Sequence, residues 1–179
     1  MALVERIKGI LVDPRAAWAT IASESTSVQS IYTGWIMILA AIGPIAMLVG
    51  YASLGVPWAL RLAIGSYVLT LAMTALLALI VDVLAPSFGG QKDFIASLKL
   101  VAYSCTIVWL VAIVHVLGAY ASLLMWIAGI YAIYTFYLGA PALRKCSADK
   151  AIPFTLIVVL CAVAIFFIAG FAMGMRRPL

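Results

Sequence analysis

The sequence predicts an all-α fold, a polytopic membrane bundle of five transmembrane helices preceded by short interfacial amphipathic helices. Composition is the first reason: 67% of the 179 residues are hydrophobic, 9% are charged and the mean hydropathy is +1.23, far from the balance of soluble domains. Span length is the second. A hydrocarbon core of ~30 Å at 1.5 Å per helical residue takes about 20 residues, so a chain of this length holds about five spans in one bundle. The third is an N-terminal stretch that is amphipathic and too charged to cross.

In that stretch Leu3, Val4, Ile7, Ile10 and Leu11 recur at helical spacing, with Glu5, Arg6 and Lys8 on the opposite arc, which predicts a short amphipathic helix over 2–11. Asp13-Pro14 restarts the chain, with Asp as a cap and Pro at the first helical position, and opens a second short helix carrying Trp18 and Ile21 on its apolar side. Two placements fit such helices equally: in the membrane surface, or as a cap on the bundle. The charges at Glu5, Arg6, Lys8, Asp13, Arg15 and Glu24 interrupt every apolar run here, so no cleavable signal is expected.

Five apolar segments follow, at 31–53, 58–84, 94–117, 119–140 and 152–175. The breaks are "SLGVP", "APSFGGQKD", "VLGAYAS" and "PALRKCSADKAIP"; the third carries no charge and turns on Gly118, as a tight helical hairpin does. Arg6, Lys8, Arg15, Lys92, Lys99, Arg144, Lys145 and Lys150 fall on one side of the membrane, against Arg61, Arg176 and Arg177 on the other. The excess of basic residues places the N-terminus in the cytoplasm and the C-terminus outside. No internal repeat of the kind found in many secondary transporters stands out.

Few chemical groups lie within the spans. Cys105 and Cys161 sit in apolar runs, Cys146 in a basic loop, and His115 is the only histidine, so no disulfide framework, metal site or cofactor is expected. The +5 net charge is a topology signal, and nucleic acid is not an expected partner. Asp82 and Lys99 fall at similar depth across a short loop, which predicts an ion pair that either fixes helix registry or serves an ion path. Gly43-Pro44 lies at the middle of the first span, where proline frees a carbonyl and kinks the helix. Tyr103, Ser104, Cys105 and Thr106 lie roughly 14 Å into their helix, at the same depth. Their hydroxyls are therefore candidates to satisfy the broken span, as interhelical contact or as a midplane binding site. No base accompanies a nucleophile there, and no His-Glu-x-x-His, Gly-x-Ser-x-Gly or phosphate loop occurs, so an enzyme is not expected. Arg144, Lys145 and Lys150 are candidates for anionic lipid head groups. Gly170 and Gly174 form a Gly-x-x-x-Gly that permits a close helix contact.

The chain resembles the Ypt-interacting protein (Yip) domain family, above all its short bacterial members. The resemblance lies in "DPRAAWATIA" before the first span, "LKLVAYS" entering the third, and "YAIYTFYLGAPALRKCSADKA" from the fourth span through the following loop. The family pattern matches Pro14 and Trp18, Tyr103 and Ser104, Tyr131, Tyr134, Tyr137 and Gly139, then Lys150 and Ala151. Bacterial relatives often carry a proline shortly after the Tyr-Ser pair, where this chain has Cys105, Thr106 and Ile107. The long cytosolic region through which eukaryotic members are thought to meet small GTPases has no counterpart, so GTPase binding is not carried over.

The resemblance implies a five-span Yip-type membrane domain over 29–179 after N-terminal helices over 1–28, with no established enzymatic activity. The leading expectation is a non-enzymatic multi-pass protein of the bacterial inner membrane that organises membrane or binds a membrane partner, with the bilayer, anionic lipids, a second copy or another membrane protein as partners. The alternative is a small-solute, ion or proton translocator with Asp82, Lys99, Tyr103, Ser104, Thr106 and Pro44 as its intramembrane polar site. A hydrated midplane favours the second, a packed one the first.

Overall fold

A computed structural model describes residues 3–144 and 148–174. Every regular element among them is a helix. Helix α1 (Leu3–Val12) and helix α2 (Pro14–Ser23) form a helical hairpin joined at Asp13. The Asp13 carboxylate accepts from the Ala16 backbone N–H at 3.2 Å while Pro14 takes the first helical position, as the sequence predicts. Ile10, Trp18 and Ile21 are fully buried. The hairpin therefore packs on the bundle through its apolar face.

Five helices long and apolar enough to cross a membrane follow: Val28–Gly50, Val56–Phe88, Phe94–Leu117, Leu123–Arg144 and Asp149–Gly170. They match the expected segments to within a few residues. The fourth lies four residues later at each end than expected, the first starts three residues early, at a Ser27 cap whose hydroxyl accepts from Ser30 N–H at 3.1 Å, and the fifth tolerates Pro153 in its opening turns. Left-handed glycines, Gly55 (φ 116°) and Gly89 (φ 81°), bracket the second span, where a side chain would be strained.

The first span is irregular. Tyr32–Ile36 forms a π-helical turn, Met37–Ala40 returns to α, the chain breaks at Ala41, and Ile42–Gly50 completes the crossing. The break follows from Pro44, which has no N–H for the carbonyl of Ala40 and crowds it. The π turn has no such local cause.

The third span is the centre of the bundle, with every residue from Ala96 to Ser104 buried. It too is broken, at Cys105, and runs on as Thr106–Val111 and then as a 3-10 stretch over Ala112–Ala121. No proline is needed for that break. The 3-10 stretch lies against the second half of the first span, where a Cβ on Gly43 would stand 3.1 Å from the Ala112 Cβ and one on Gly50 would overlap the His115 carbonyl. The two backbones touch as only small residues allow. The fifth span packs on the second and fourth through Phe154, whose ring lies 5.3 Å from Phe88 and 6.0 Å from Phe136.

Candidate functional site: the seat of the N-terminal hairpin

Trp18 is the anchor of α2. Its indole N–H donates to the Thr135 carbonyl of the fourth span at 2.9 Å. Its ring covers Gly139, where a Cβ would lie 2.6 Å from Trp18 Cε2 and 2.7 Å from Leu100 Cδ1. Only glycine leaves room for the indole there. Beyond the indole, Tyr103 presents its edge to Trp18 at 6.4 Å and to Trp35 at 4.8 Å between ring centres, geometries that aromatic quadrupoles favour. Trp35 in turn donates to Thr106 Oγ1 at 3.3 Å. The π turn of the first span carries that Trp35.

Charge completes the seat. The Arg6 guanidinium of α1 stands 5.4 Å from the centre of the Tyr103 ring, within cation–π range. Its Nη2 also donates to both carboxylate oxygens of Glu24, at 2.6 and 2.5 Å. Lys99, only 5% exposed, sends its ammonium to the end of α2, where it donates to the carbonyls of Ile21, at 2.8 Å, and of Glu24. Tyr131 does the same for α1, its hydroxyl shared between the carbonyls of Ile10 at 3.2 Å and Leu11 at 3.0 Å. A helix leaves its last carbonyls without intrahelical partners and carries partial negative charge at that end. Spans three and four thus each supply the donor that closes one hairpin helix.

Replacing Lys99 by Met keeps the aliphatic stem and removes that donor. Two carbonyls then lose their partner at a cost of ~1–3 kcal/mol. The expected result is faster hydrogen exchange over α2 with little change in the fifth span, which is remote from this contact. Uniform exchange changes across all spans would contradict the local role.

A second cluster ties the ends of three spans together. Asp82 of the second span accepts from the Asp93 N–H at 2.7 Å, from Ser97 Oγ at 3.3 Å and from Arg144 Nη2 at 3.2 Å. Arg144, 2% exposed, also donates to the carbonyls of Asp93, at 2.6 Å, and Gln91. It therefore clamps the loop between the second and third spans to the end of the fourth.

This arrangement corrects two expectations. Asp82 pairs with Arg144, not with Lys99, because the fourth span ends beside the second–third loop while α2 occupies the space above Lys99. Arg144 is buried and engaged, and so does not face lipid head groups. Lys150 is exposed, and Lys145 lies outside the described residues. Among the described residues no hydrogen bond joins the polar quartet to the backbone at Pro44: Thr106 Oγ1 accepts from the Trp35 indole N–H and donates to the Ala102 carbonyl at 3.4 Å, and Ser104 Oγ is buried without a partner. His115 Nδ1 bonds Ala112 O of its own turn at 2.8 Å.

Sequence reasoning missed Arg6, Glu24, Trp35 and Thr135 as parts of the site. Asp93 was missed as well, though its place before "FIAS" is a local N-cap signal that could have found it: its carboxylate accepts from Ala96 N–H at 3.0 Å.

Five apolar spans around a buried third helix, with a hairpin seated on the third and fourth, define a polytopic membrane protein. The chain belongs to the Yip1 domain family, whose model matches residues 8–171, nearly its whole length. No curated protein and no solved structure matches it. Several of the motif residues behind the resemblance meet at the hairpin. Pro14 opens α2, Trp18 lies on Gly139, Tyr103 meets Trp18, and Tyr131 closes α1.

Proposed function

We propose that the protein is a non-enzymatic component of the bacterial inner membrane, whose bundle presents the N-terminal hairpin at the cytoplasmic surface to organise membrane or engage a membrane partner. The observation that carries this reading is the set of contacts made by Trp18, Lys99, Tyr103, Tyr131 and Gly139, which seat helices α1 and α2 against the third and fourth spans. Five crossings put the two termini on opposite sides, and the excess of basic residues favours a cytoplasmic N-terminus and a periplasmic C-terminus. Beyond the bilayer itself, anionic lipids beside Lys150, a second copy, or another membrane protein are the partners this reading admits.

The translocator reading loses support because its polar residues are packed against protein. Asp82 is held by Arg144, Ser97 and Asp93, and Thr106 by Trp35. Purified protein in liposomes is expected to give no flux of ions, protons or small solutes above empty vesicles. A flux that Asp82→Asn or Tyr103→Phe abolishes would establish translocation instead.

A further inference from the structure

The basic residues on the N-terminal side of the membrane do not all face water. Arg6, Lys99 and Arg144 are consumed inside the protein, by Glu24 and Tyr103, by the end of α2, and by Asp82. Lys8, Arg15, Lys92 and Lys150 are exposed. Arg15 differs from the other three because it stands at the rim of a groove of about 290 Å³ between α2 and the end of the fourth span, lined by Trp18, Ala19, Tyr137, Leu138, Pro141 and Ala142. Arg15 makes no ion pair among the described residues.

The chemistry of this groove is that of an amphiphile's head. One wall offers a cation. The floor is apolar indole, leucine and alanine. Tyr137 offers a phenol, and its backbone offers more: Pro141 has no N–H, so the Tyr137 carbonyl four residues earlier receives no helical hydrogen bond from it. The groove is near the lower end of the ~300–1,000 Å³ typical of small-ligand sites, sized for a head group and glycerol rather than a whole lipid.

We propose that this groove holds the head of one anionic glycerophospholipid from the leaflet on the N-terminal side. Arg15 binds the phosphate, the Tyr137 hydroxyl and carbonyl bind the head-group hydroxyls, and the acyl chains leave along the exposed face of the fourth span. The match of cation, donor, acceptor and apolar floor to phosphate, hydroxyl and hydrocarbon favours a lipid over a peptide. The site exists only while the hairpin is seated, so it rests on the reading above. It places the lipid contact at Arg15 rather than at Arg144.

Native mass spectrometry of the full chain released from nanodiscs of mixed phosphatidylglycerol and phosphatidylcholine tests it. Wild type is expected to retain one phosphatidylglycerol and no phosphatidylcholine. Arg15→Ala should weaken retention roughly fivefold, the usual worth of one basic side chain at an anionic surface, and Ala142→Phe should fill the groove and abolish retention with Arg15 in place. Lys150→Ala should change nothing. Equal retention of both lipids, or equal losses in Arg15→Ala and Lys150→Ala, would overturn the site. Seating is read separately from hydrogen exchange over α2: it stays protected in Arg15→Ala. Exposed α2 in the wild type would instead defeat the hairpin reading on which the site depends.

Discussion

Gly139→Leu is expected to unseat the N-terminal hairpin. A Cβ alone at this position would stand 2.6 Å from Trp18 Cε2 and 2.8 Å from Cδ2, and both atoms belong to a rigid ring whose indole N–H is fixed on the Thr135 carbonyl. The ring cannot shift away from Gly139 without giving up that bond. Overpacking of this kind costs ~1–3 kcal/mol when the neighbours yield, and expelling Trp18 forfeits a burial worth ~3–5 kcal/mol. Either route loosens α2, and with it the Arg6 and Lys99 contacts that depend on its position. Trypsin should then cut at Arg6, Lys8 or Arg15 under conditions that leave the wild type intact. Gly129→Leu is the control, because it lies on the same span with nothing within 4 Å of its Cβ position. Equal proteolysis of the two variants would show that the seat is not what Gly139 serves.

The same residues mark how far the sequence could be read. Hydropathy and loop chemistry set the five spans, since they depend only on local runs of apolar residues and on Asp13, Gly55 and Gly89 acting as punctuation. The kink before Pro44 was equally local. What escaped was long-range: the Arg6–Glu24 pair joins residues 18 apart and Trp18 to Thr135 joins residues 117 apart. No spacing rule connects them. The π turn over Tyr32–Ile36 belongs to this group, as it carries Trp35 against Tyr103 and Thr106 and has no local sequence cause. Hairpin placement was open between membrane surface and bundle, because both demand the same amphipathic face. The buried Trp18 and Ile21 give that face its partner. The family pattern includes Trp18, Tyr103, Tyr131 and Gly139, which the fold brings together, without saying that they meet.

Depth along the membrane misled the pairing of Asp82. Lys99 and Arg144 both come near its level, and depth cannot choose between them; the position of α2 does, by drawing the Lys99 ammonium to the Ile21 and Glu24 carbonyls. The choice has a measurable consequence. Asp82 is 14% exposed and Arg144 wholly buried at its side chain, so removing the carboxylate takes a counter-charge from a buried guanidinium, a change worth up to ~3–5 kcal/mol. Arg144→Gln should also destabilise, because the loop carbonyls of Asp93 and Gln91 lose a donor. In unfolding titrations in mixed micelles, Asp82→Asn combined with Arg144→Gln is expected to cost less than the sum of the single changes, by ~1–3 kcal/mol. Asp82→Asn combined with Lys99→Met should be additive to within about 0.5 kcal/mol, since the two side chains share no partner. If the coupling appears in the second pair and not the first, the clamp is misassigned and the charge of Lys99 serves Asp82 after all. Additivity there leaves each cation with its own task, Lys99 closing the hairpin and Arg144 fixing the loop beneath it.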